Sequence, residues 1–282
     1  MYTFLILIVL CIGLIAVFNW FKSNRKYRSK ESVSFAYDAW TNDRLLERLW
    51  GEHIHLGYYN SNFLKNDFKH AKIEFVHQLV SWSGLKNLPK GSKILDVGCG
   101  IGGSARILAS EYQFDVLGIS ISKEQVKRAN ELTPEHLTCR FEVMDALDLQ
   151  LEEDSFDGIW SVEAGAHMPN KQLYADQMLR VLRPGGILSV ADWNKRNIKD
   201  KPMNLIEKIV MKQLLNQWSH PEFSSILSFE NNLLNSNYNN RLVETQDWTR
   251  FTLPSWIDSI LEGIKSPNVF FELGPSSFVQ GL

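Results

Sequence analysis

Short apolar segments alternate with amphipathic segments through the middle of the chain. Each apolar segment has the length of a buried strand, and each amphipathic segment repeats its apolar residues at helical spacing. Strands are predicted over 93–97, 114–119, 140–144, 156–162 and 186–192, and helices over 103–111, 122–132 and 170–182. Ser122 with Gln125 predicts a capping box at the start of the second of these helices. This alternation predicts an α/β fold with a doubly wound, mostly parallel sheet. Ligands of such sheets bind at the C-terminal ends of the strands.

Helical segments flank the alternating region on both sides. Before it, helices are predicted over 37–50 and 67–82, with a turn over 52–59 that carries His53 and His55. After it, helices are predicted over 205–218, 225–234 and 254–264, and a strand over 242–248, with 268–273 as the candidate for a last sheet strand. The first group predicts an N-terminal cover, and the second, about 200–265, predicts a lid over an acceptor pocket. The apolar and aromatic residues of the lid suit an oily acceptor, and they also suit plain helix packing.

The first 21 residues carry no charge and are dominated by Leu, Ile, Val and Phe. As a helix they would extend about 30 Å, the thickness of the hydrocarbon core of a bilayer. Lysine and arginine follow at once in a basic linker over 22–34, the reverse of the order in a cleaved signal. The pattern predicts a transmembrane anchor over 1–21 with the rest of the chain on the cytoplasmic side. A membrane is therefore an expected partner.

Composition narrows the range of partners. The net charge of −2 gives no electrostatic case for nucleic acid, which favours a basic surface. Cys11, Cys99 and Cys139 lie far apart, without a C-x-x-C pair. We therefore expect neither a disulfide framework nor a metal site.

The segment 94–103 joins an apolar strand to a helix through a glycine-rich turn. Glycine lets the backbone approach a ligand closely, and the start of the helix offers unpaired N–H groups. The segment also fits the G-x-G-x-x-G pattern of dinucleotide enzymes, which alone is a weak signal. Asp96 opposes that interpretation, because its carboxylate would repel a pyrophosphate and would attract an amino-acid ammonium. The next strand ends in Ser120, where NAD enzymes normally place an acidic residue.

Taken together, these motifs resemble the S-adenosylmethionine-dependent methyltransferases of the Rossmann-like class I. The resemblance assigns 94–103 to motif I of that class, 154–162 to motif II and 181–190 to motif III. It implies S-adenosylmethionine as the cofactor, with adenine held after the third strand. Ser120 departs from the commonest acidic ribose ligand. The cofactor-binding residues that the resemblance implies are Tyr37, Asp96, Gly98, Cys99, Gly100, Gly102, Ser120, Asp145, Ala146 and Glu163.

Further segments resemble the tocopherol-methyltransferase family more specifically. They are 35–40, 50–59 and 162–169, while 191–194 and 217–221 point to the cyanobacterial branch that methylates 2-methyl-6-phytyl-1,4-hydroquinone and its solanesyl analogue. The resemblance makes 35–282 one methyltransferase domain. It implies methyl transfer to a ring carbon of a lipid-soluble prenylated hydroquinone, in tocopherol and plastoquinone biosynthesis.

This reaction would benefit from a base. A ring carbon is a poor nucleophile until the neighbouring hydroxyl loses its proton, and the pKa of a phenol is about 10. His167 follows the fourth strand and is the first candidate for the base, with Glu163 orienting it or the substrate hydroxyl. His220 is the second candidate.

Three alternatives remain open from the sequence. The first is methylation of γ-tocopherol or of another small amphipathic molecule. The second is a dehydrogenase, and the third is a membrane-tethered module that binds S-adenosylmethionine without turnover.

Overall fold

A five-stranded parallel sheet forms the centre of the molecule. The computed structural model describes residues 26–60, 67–199, 201–238, 242–266 and 268–269. The strands are β1 (Lys93–Val97), β2 (Asp115–Ser120), β3 (Cys139–Val143), β4 (Phe156–Val162) and β5 (Leu182–Ala191). Their order is β3-β2-β1-β4-β5, and every neighbouring pair is parallel. The α/β, Rossmann-like fold class predicted from the sequence is therefore confirmed.

Helices cover both faces of this sheet and extend beyond it. They are α1 (Lys30–Asn42), α2 (Leu45–Trp50), α3 (Phe68–Ser83), α4 (Gly103–Ser110), α5 (Lys123–Leu132), α6 (Lys171–Val181), α7 (Leu205–Gln217), α8 (Ile226–Leu234) and α9 (Thr249–Lys265). Because the chain leaves β1 toward β2 on one side and reaches β4 on the other, the strand order reverses beside β1. A crevice at the C-terminal ends of the strands is expected at this point.

The core has two parts because successive side chains of a buried strand point to opposite faces. Ile94 of β1 packs with Val76 of α3 and Leu108 of α4 on one face. Leu95, the next residue, packs with Met178 of α6 on the other. The continuous apolar pattern of β1 thus reflects burial on both faces, as in other parallel sheets.

The predicted helix over 37–50 is two helices in the structure. Arg44 has a φ of 51°, in the left-handed region, which ends α1 and starts α2 in a new direction. The first of the two begins at Lys30, inside the segment predicted as a basic linker. The new direction buries Leu45 and Leu49 of α2.

The strand predicted over 242–248 is wrong, since these residues form no regular structure. Trp248 packs against α3 instead: its ring lies 5.6 Å from that of Phe75 and 6.0 Å from that of Trp82, while Leu242 is exposed. Asp247 accepts hydrogen bonds from Thr249 at the start of α9. As a result α9 begins earlier than predicted and contains Pro254 in its interior. The last predicted strand candidate, over 268–273, lies mostly outside the described residues.

The predicted membrane location is corrected by the structure. No helix within the described ranges is long and apolar enough to cross a bilayer. The longest, α3 and α9, have 16 and 17 residues, against the roughly 20 apolar residues that a crossing requires. The segment 1–21, on which the predicted anchor rests, lies outside the described residues. The single-pass anchor with a cytoplasmic catalytic domain is not carried forward.

Candidate active site

The glycine-rich loop turns sharply between β1 and α4. Gly98 and Gly100 have φ values of 81° and 54°, which residues with a Cβ adopt only at a cost. A Cβ on Gly98 would lie 2.3 Å from the Cβ of Ala164, so the loop packs tightly against the segment after β4. A Cβ on Gly100 would meet nothing within 4 Å, and Gly100 lines a cavity. The loop therefore offers open space for a ligand along its bare backbone.

Asp96 lies in the wall of the same cavity, near the end of β1. Its side chain is 2% exposed, and its Oδ2 atom is buried without a hydrogen-bond partner. Burial raises the pKa of this carboxyl to about 7. Because a buried carboxylate is costly unless it is paired, this position is suited to a cationic group of a ligand.

The ends of β2 and β3 form the next part of the wall. The Ser120 hydroxyl donates to Oε1 of Gln125 at 2.8 Å, so these two side chains present one connected polar surface. Asp145 accepts from the Leu147 N–H at 2.9 Å and from the Lys30 ammonium at 2.9 Å. The capping hydrogen bond that Ser122 was predicted to accept from the Gln125 N–H is present, but the Gln125 side chain turns to Ser120.

Of three other predicted cofactor-binding residues, Cys99 and Ala146 lie in the cavity wall and Gly102 does not. Cys99 and Ala146 are buried and line the cavity. Burial raises the pKa of the Cys99 thiol, so it is a protonated, small side chain at neutral pH. Gly102 is not part of the wall. A Cβ there would lie 2.5 Å from the ring of Phe141, so Gly102 shapes the turn into α4.

Tyr37 and His167 meet across the cavity. The Tyr37 hydroxyl lies 2.8 Å from Nε2 of His167, although the two residues are separated by 130 positions in the chain. The His167 ring stacks on the ring of His220 with centroids 4.2 Å apart. One phenol and two imidazoles therefore lie in a row. They come from α1, from the turn after β4 and from the segment that follows α7.

Both imidazoles are neutral at neutral pH. Burial lowers the pKa of His167 to about 3, with a further contribution from the Lys171 ammonium. Burial also lowers the pKa of His220, and His167 adds to that effect. A neutral imidazole hydrogen-bonded to a phenol can accept or hold a proton, but as a free base it is weak at these pKa values.

Glu163 lies where the cavity meets a second groove alongside β5. Its backbone is left-handed, with a φ of 55°, and its Oε1 accepts from the Leu56 N–H at 2.9 Å. Burial raises the pKa of Glu163 to about 7, even though the Leu56 hydrogen bond favours the charged form. Left-handed backbone in a non-glycine residue is strained, and such strain gathers at functional sites.

Tryptophan side chains form the wall opposite the glycine loop. Trp50 stacks on Trp218 with centroids 6.1 Å apart, and Trp193 lies 4.8 Å from Trp256. Several buried polar atoms of the cavity have no hydrogen-bond partner within the described protein. They are Asp96 Oδ2, His53 Nδ1, and Trp50 and Trp160 Nε1. Buried polar groups normally find partners, so this concentration marks a site completed by ligands.

The structure thus brings all the predicted site residues except Gly102 to one cavity, while their individual roles remain predictions. Lys30 and Gln125 were not predicted as site residues. Gln125 had been interpreted only as part of a helix cap, and Lys30 only as a basic linker residue. Each reaches the cavity through packing between distant segments, for which the sequence gives no local signal.

Comparison with known proteins decides the family. A family model described as a methyltransferase domain matches residues 88–250. The chain is 52% identical over 258 residues to the 2-methyl-6-phytyl-1,4-hydroquinone methyltransferase of Synechocystis, which covers 92% of this chain and 81% of that protein. The chain belongs to the tocopherol-methyltransferase family.

This methyltransferase is also 31% identical to the chloroplastic tocopherol O-methyltransferase of Arabidopsis thaliana, over 75% of its own length and 64% of that protein. Among solved structures, geranyl diphosphate C-methyltransferase from Streptomyces coelicolor has the same fold. The TM-score is 0.64 at 18% identity, with 81% of this chain and 85% of that one covered.

S-adenosylmethionine is the cofactor, and the cavity fits it. Asp96 has an unpartnered buried oxygen for the ammonium, and the open space at Gly100 allows the amino-acid end to lie along the backbone. Ser120 and Gln125 line the cavity at the end of β2, and Asp145 and Ala146 line it after β3.

Proposed function

We propose that this methyltransferase transfers a methyl group to a ring carbon of a prenylated hydroquinone. The proposed acceptor is 2-methyl-6-phytyl-1,4-hydroquinone or 2-methyl-6-solanesyl-1,4-hydroquinone. The observation that carries the proposal is the 52% identity, over 92% of the chain, to an enzyme named for methylating such a hydroquinone.

The cavity supports an aromatic, oily acceptor. Trp50, Trp193, Trp218 and Trp256 offer flat apolar surfaces against which a ring can stack. The indole N–H of Trp50 has no partner within the described protein, so it can donate to a ring oxygen, whereas the Trp193 side chain is a hydrogen-bond partner of Glu163. A flat apolar ring with polar atoms on its edge matches this combination.

S-adenosylmethionine, when bound, supplies an electrophilic methyl group on a sulfonium. The residues of the chain must then hold the acceptor carbon in line, keep water out and take a proton from the acceptor hydroxyl. Asp96 holds the ammonium end, and the tryptophan wall excludes water. The remaining requirement is a proton acceptor.

In our proposal Glu163 takes this proton. Methyl transfer would form the new carbon–carbon bond as the carbon–sulfur bond of the sulfonium breaks. The ring carbon would then lose its own hydrogen as a proton while the oxygen regains one, so the aromatic ring is restored and one proton is released per turnover.

The Glu163 pKa of about 7 matches the working pH of a general base, whereas His167, with a pKa of about 3, is a weak base. The Tyr37–His167 hydrogen bond, with His220 stacked behind it, positions a phenol hydroxyl beside the acceptor. His167 could act as a base only indirectly: the Tyr37 hydroxyl would take the proton of the acceptor and give its own proton to Nε2 of His167 along this hydrogen bond.

A second candidate acceptor is γ-tocopherol. The 31% identity to a tocopherol O-methyltransferase favours it. The chromanol ring of γ-tocopherol is also a flat phenol, so the same residues could hold it. The two acceptors differ in that the hydroquinone has two free hydroxyl groups.

The test is product analysis after incubation with methyl-labelled S-adenosylmethionine and each acceptor in turn. We expect the label on a ring carbon of the hydroquinone, with slower reaction of γ-tocopherol. If only γ-tocopherol carried the label, γ-tocopherol would be the acceptor and the hydroquinone proposal would be wrong. Binding of S-adenosylmethionine without label in any prenylated phenol would contradict both.

Glu163→Gln tests the proton acceptor in the same assay. The amide still accepts from the Leu56 N–H, so we expect turnover to fall about 100-fold with affinity for S-adenosylhomocysteine nearly unchanged. In the parent enzyme kcat should rise with pH up to about pH 7, because the base must lose its proton. If the variant keeps the same pH profile, the assignment to Glu163 is wrong, and His167→Ala becomes the variant to examine.

A further inference from the structure

Lys72 is a lysine in the interior of the protein. It lies in the middle of α3 and is 1% exposed. Lysine is almost never fully buried unless it is paired, yet no carboxylate in the described part of the chain lies within ion-pair distance of it. Its position therefore requires an explanation other than a salt bridge.

The ammonium of Lys72 binds backbone instead. It donates to the His53 carbonyl at 2.7 Å and more weakly to the Trp50 carbonyl at 3.5 Å. It also lies over the rings of Trp50 and Phe68, at 4.8 Å and 4.5 Å from their centroids. Trp50 is the last residue of α2, where carbonyl groups lack helical partners and the helix dipole is negative. Lys72 thus holds the point where the chain leaves α2.

The segment that begins there, residues 51–59, is here named the strap. It has no regular structure and crosses directly over the glycine loop. A Cβ on Gly103, at the start of α4, would lie 2.4 Å from the Glu52 carbonyl oxygen, so strap and loop are in backbone contact. The Glu52 carboxylate pairs with Arg106 of α4 at 2.7 Å.

The same strap holds Glu163. Its Leu56 N–H is the donor to Oε1 of that carboxyl, and residues 52–56 line the cavity. Lys72 also acts on Glu163 through space: when protonated, its ammonium slightly lowers the pKa of the carboxyl, while the neighbouring Asp192 raises it. Burial lowers the pKa of Lys72 itself to about 7, so this charge is only partly present at neutral pH and the hydrogen bonds of Lys72 carry the argument. Lys72 is therefore connected to the glycine loop and to Glu163 by one short piece of chain.

We propose that Lys72 is a positioning residue, which fixes the strap against the glycine loop and so places both the cofactor and Glu163. The inference rests on the proposed function for the role of Glu163, and on the family alone for the cofactor. Loss of the ammonium would free the start of the strap, while the sheet beneath would keep its packing.

The test compares Lys72→Met with Lys127→Met. Methionine has the same unbranched shape as lysine and no donor. Lys127 lies in helix α5, away from the strap, and is exposed, so it is the control for a lysine-to-methionine change on a helix. Amide hydrogen exchange, calorimetry with S-adenosylhomocysteine and thermal unfolding require no acceptor. They would therefore report on Lys72 even if the hydroquinone proposal failed.

In Lys72→Met we expect the amides of Leu56 and Gly57 to exchange about tenfold faster, with β1 and β4 unchanged. Affinity for S-adenosylhomocysteine should fall about tenfold. The rising limb of the kcat–pH profile should move slightly to higher pH, because the Lys72 ammonium near Glu163, partly protonated at pH 7, has been removed. A merely structural lysine would not move that profile. Lys127→Met should change none of these quantities.

Lys72→Gln is the second variant, since its amide can still donate to the His53 carbonyl. We expect strap exchange and affinity between those of the parent and Lys72→Met. Strap exchange and affinity within twofold of the parent in Lys72→Met would overturn the proposal. If neither variant folds, Lys72 supports the whole fold rather than the strap, and the proposal is overturned as well.

Discussion

Asp96 illustrates how one residue can be unfavourable in the free protein and favourable in the complex. Its buried, unpartnered oxygen costs free energy whenever the carboxyl is ionised. The pKa of about 7, well above the unfolded value, is the measure of that cost. A ligand ammonium removes the cost, so binding is stronger than the contact alone would suggest.

Asp96→Asn tests this argument. We expect affinity for S-adenosylhomocysteine to fall about 100-fold at pH 8, since the charge partner of the ammonium is lost. In the parent, affinity should decrease as the pH falls below 7, because a protonated Asp96 must first lose its proton. That decrease should be absent in the variant, as calorimetry between pH 6 and pH 8 would show.

The same substitution should raise the stability of the ligand-free protein. A carboxyl whose folded pKa is raised contributes stability below its unfolded pKa of about 4, and that contribution is lost as the pH rises through 7. The variant should therefore melt higher than the parent at pH 8 and equally at pH 4. A lower melting temperature at pH 8 would contradict the burial argument.

Comparing Gly100→Ala with Gly91→Ala distinguishes two effects of an added Cβ: blocking the space of the ligand and straining the backbone. Gly91 and Gly100 both have positive φ, at 79° and 54°, and a Cβ on either would meet nothing within 4 Å. Each alanine variant should lose about 1 kcal/mol of stability through backbone strain. Only Gly100→Ala should lose affinity for the cofactor, because only Gly100 lines the cavity. Equal affinities by calorimetry would show that the ligand does not lie against this loop.

At the scale of elements, the contact between α1 and α5 fixes one side of the cavity. Ser122 caps α5 by accepting from the Gln125 N–H at 3.1 Å, and its hydroxyl donates to Asp38 of α1 at 2.5 Å. One side chain thus ends the strand–helix turn and attaches the cover to it. Tyr37 precedes Asp38, so this attachment also places the phenol that meets His167.

Ser122→Ala should lower the free energy of unfolding by about 1–2 kcal/mol, because a helix cap and a buried hydrogen bond are both lost. Urea unfolding gives this value directly. Asn204→Ala is the matched control. It removes the cap of α7, which is exposed, and should cost about 0.5 kcal/mol, at the low end for a helix cap. A similar loss in both variants would mean that the contact with Asp38 adds nothing.

The strands and the helices that flank them could be predicted from the sequence, because the apolar positions of their sequence pattern are the positions that are buried. β1 and β4 begin and end where their apolar runs do. The segment 242–248 could not be predicted, since Trp248 packs on α3 and Leu242 is exposed, so its apolar residues do not form a strand. The site followed the same rule. Asp96 and Gly100 lie in one short motif, whereas Lys72 and Gln125 depend on contacts between distant segments.

At the scale of the whole molecule, the strap joins the N-terminal cover to the lid helix α9. The Gly57 N–H donates to the Ser255 hydroxyl at 2.8 Å, and the Tyr59 hydroxyl donates to Asp258 at 2.6 Å. The Tyr59 N–H also donates to the Phe251 carbonyl. Cover and lid should therefore open and close together, even though nearly 200 residues separate them.

Ser255→Ala should uncouple the two. The Gly57 N–H would remain buried without an acceptor, at a cost of about 1–3 kcal/mol. We expect faster amide exchange in both the strap and α9, and a raised KM for the acceptor. Ser155→Ala removes a surface hydroxyl bonded only to the Glu152 carbonyl and should change neither quantity. Faster exchange in α9 alone would show that cover and lid move separately.

Cys99 gives the glycine loop a chemical reporter of its own. The thiol is buried, and burial raises its pKa, so an alkylating reagent finds neither access nor a thiolate in the closed loop. An alkylating reagent can modify the Cys99 thiol only when the glycine loop opens transiently, so the rate of modification measures how often the loop opens. A ligand in the neighbouring cavity should slow this labelling, so the labelling rate of Cys99 would report how the ligand restricts opening of the glycine loop.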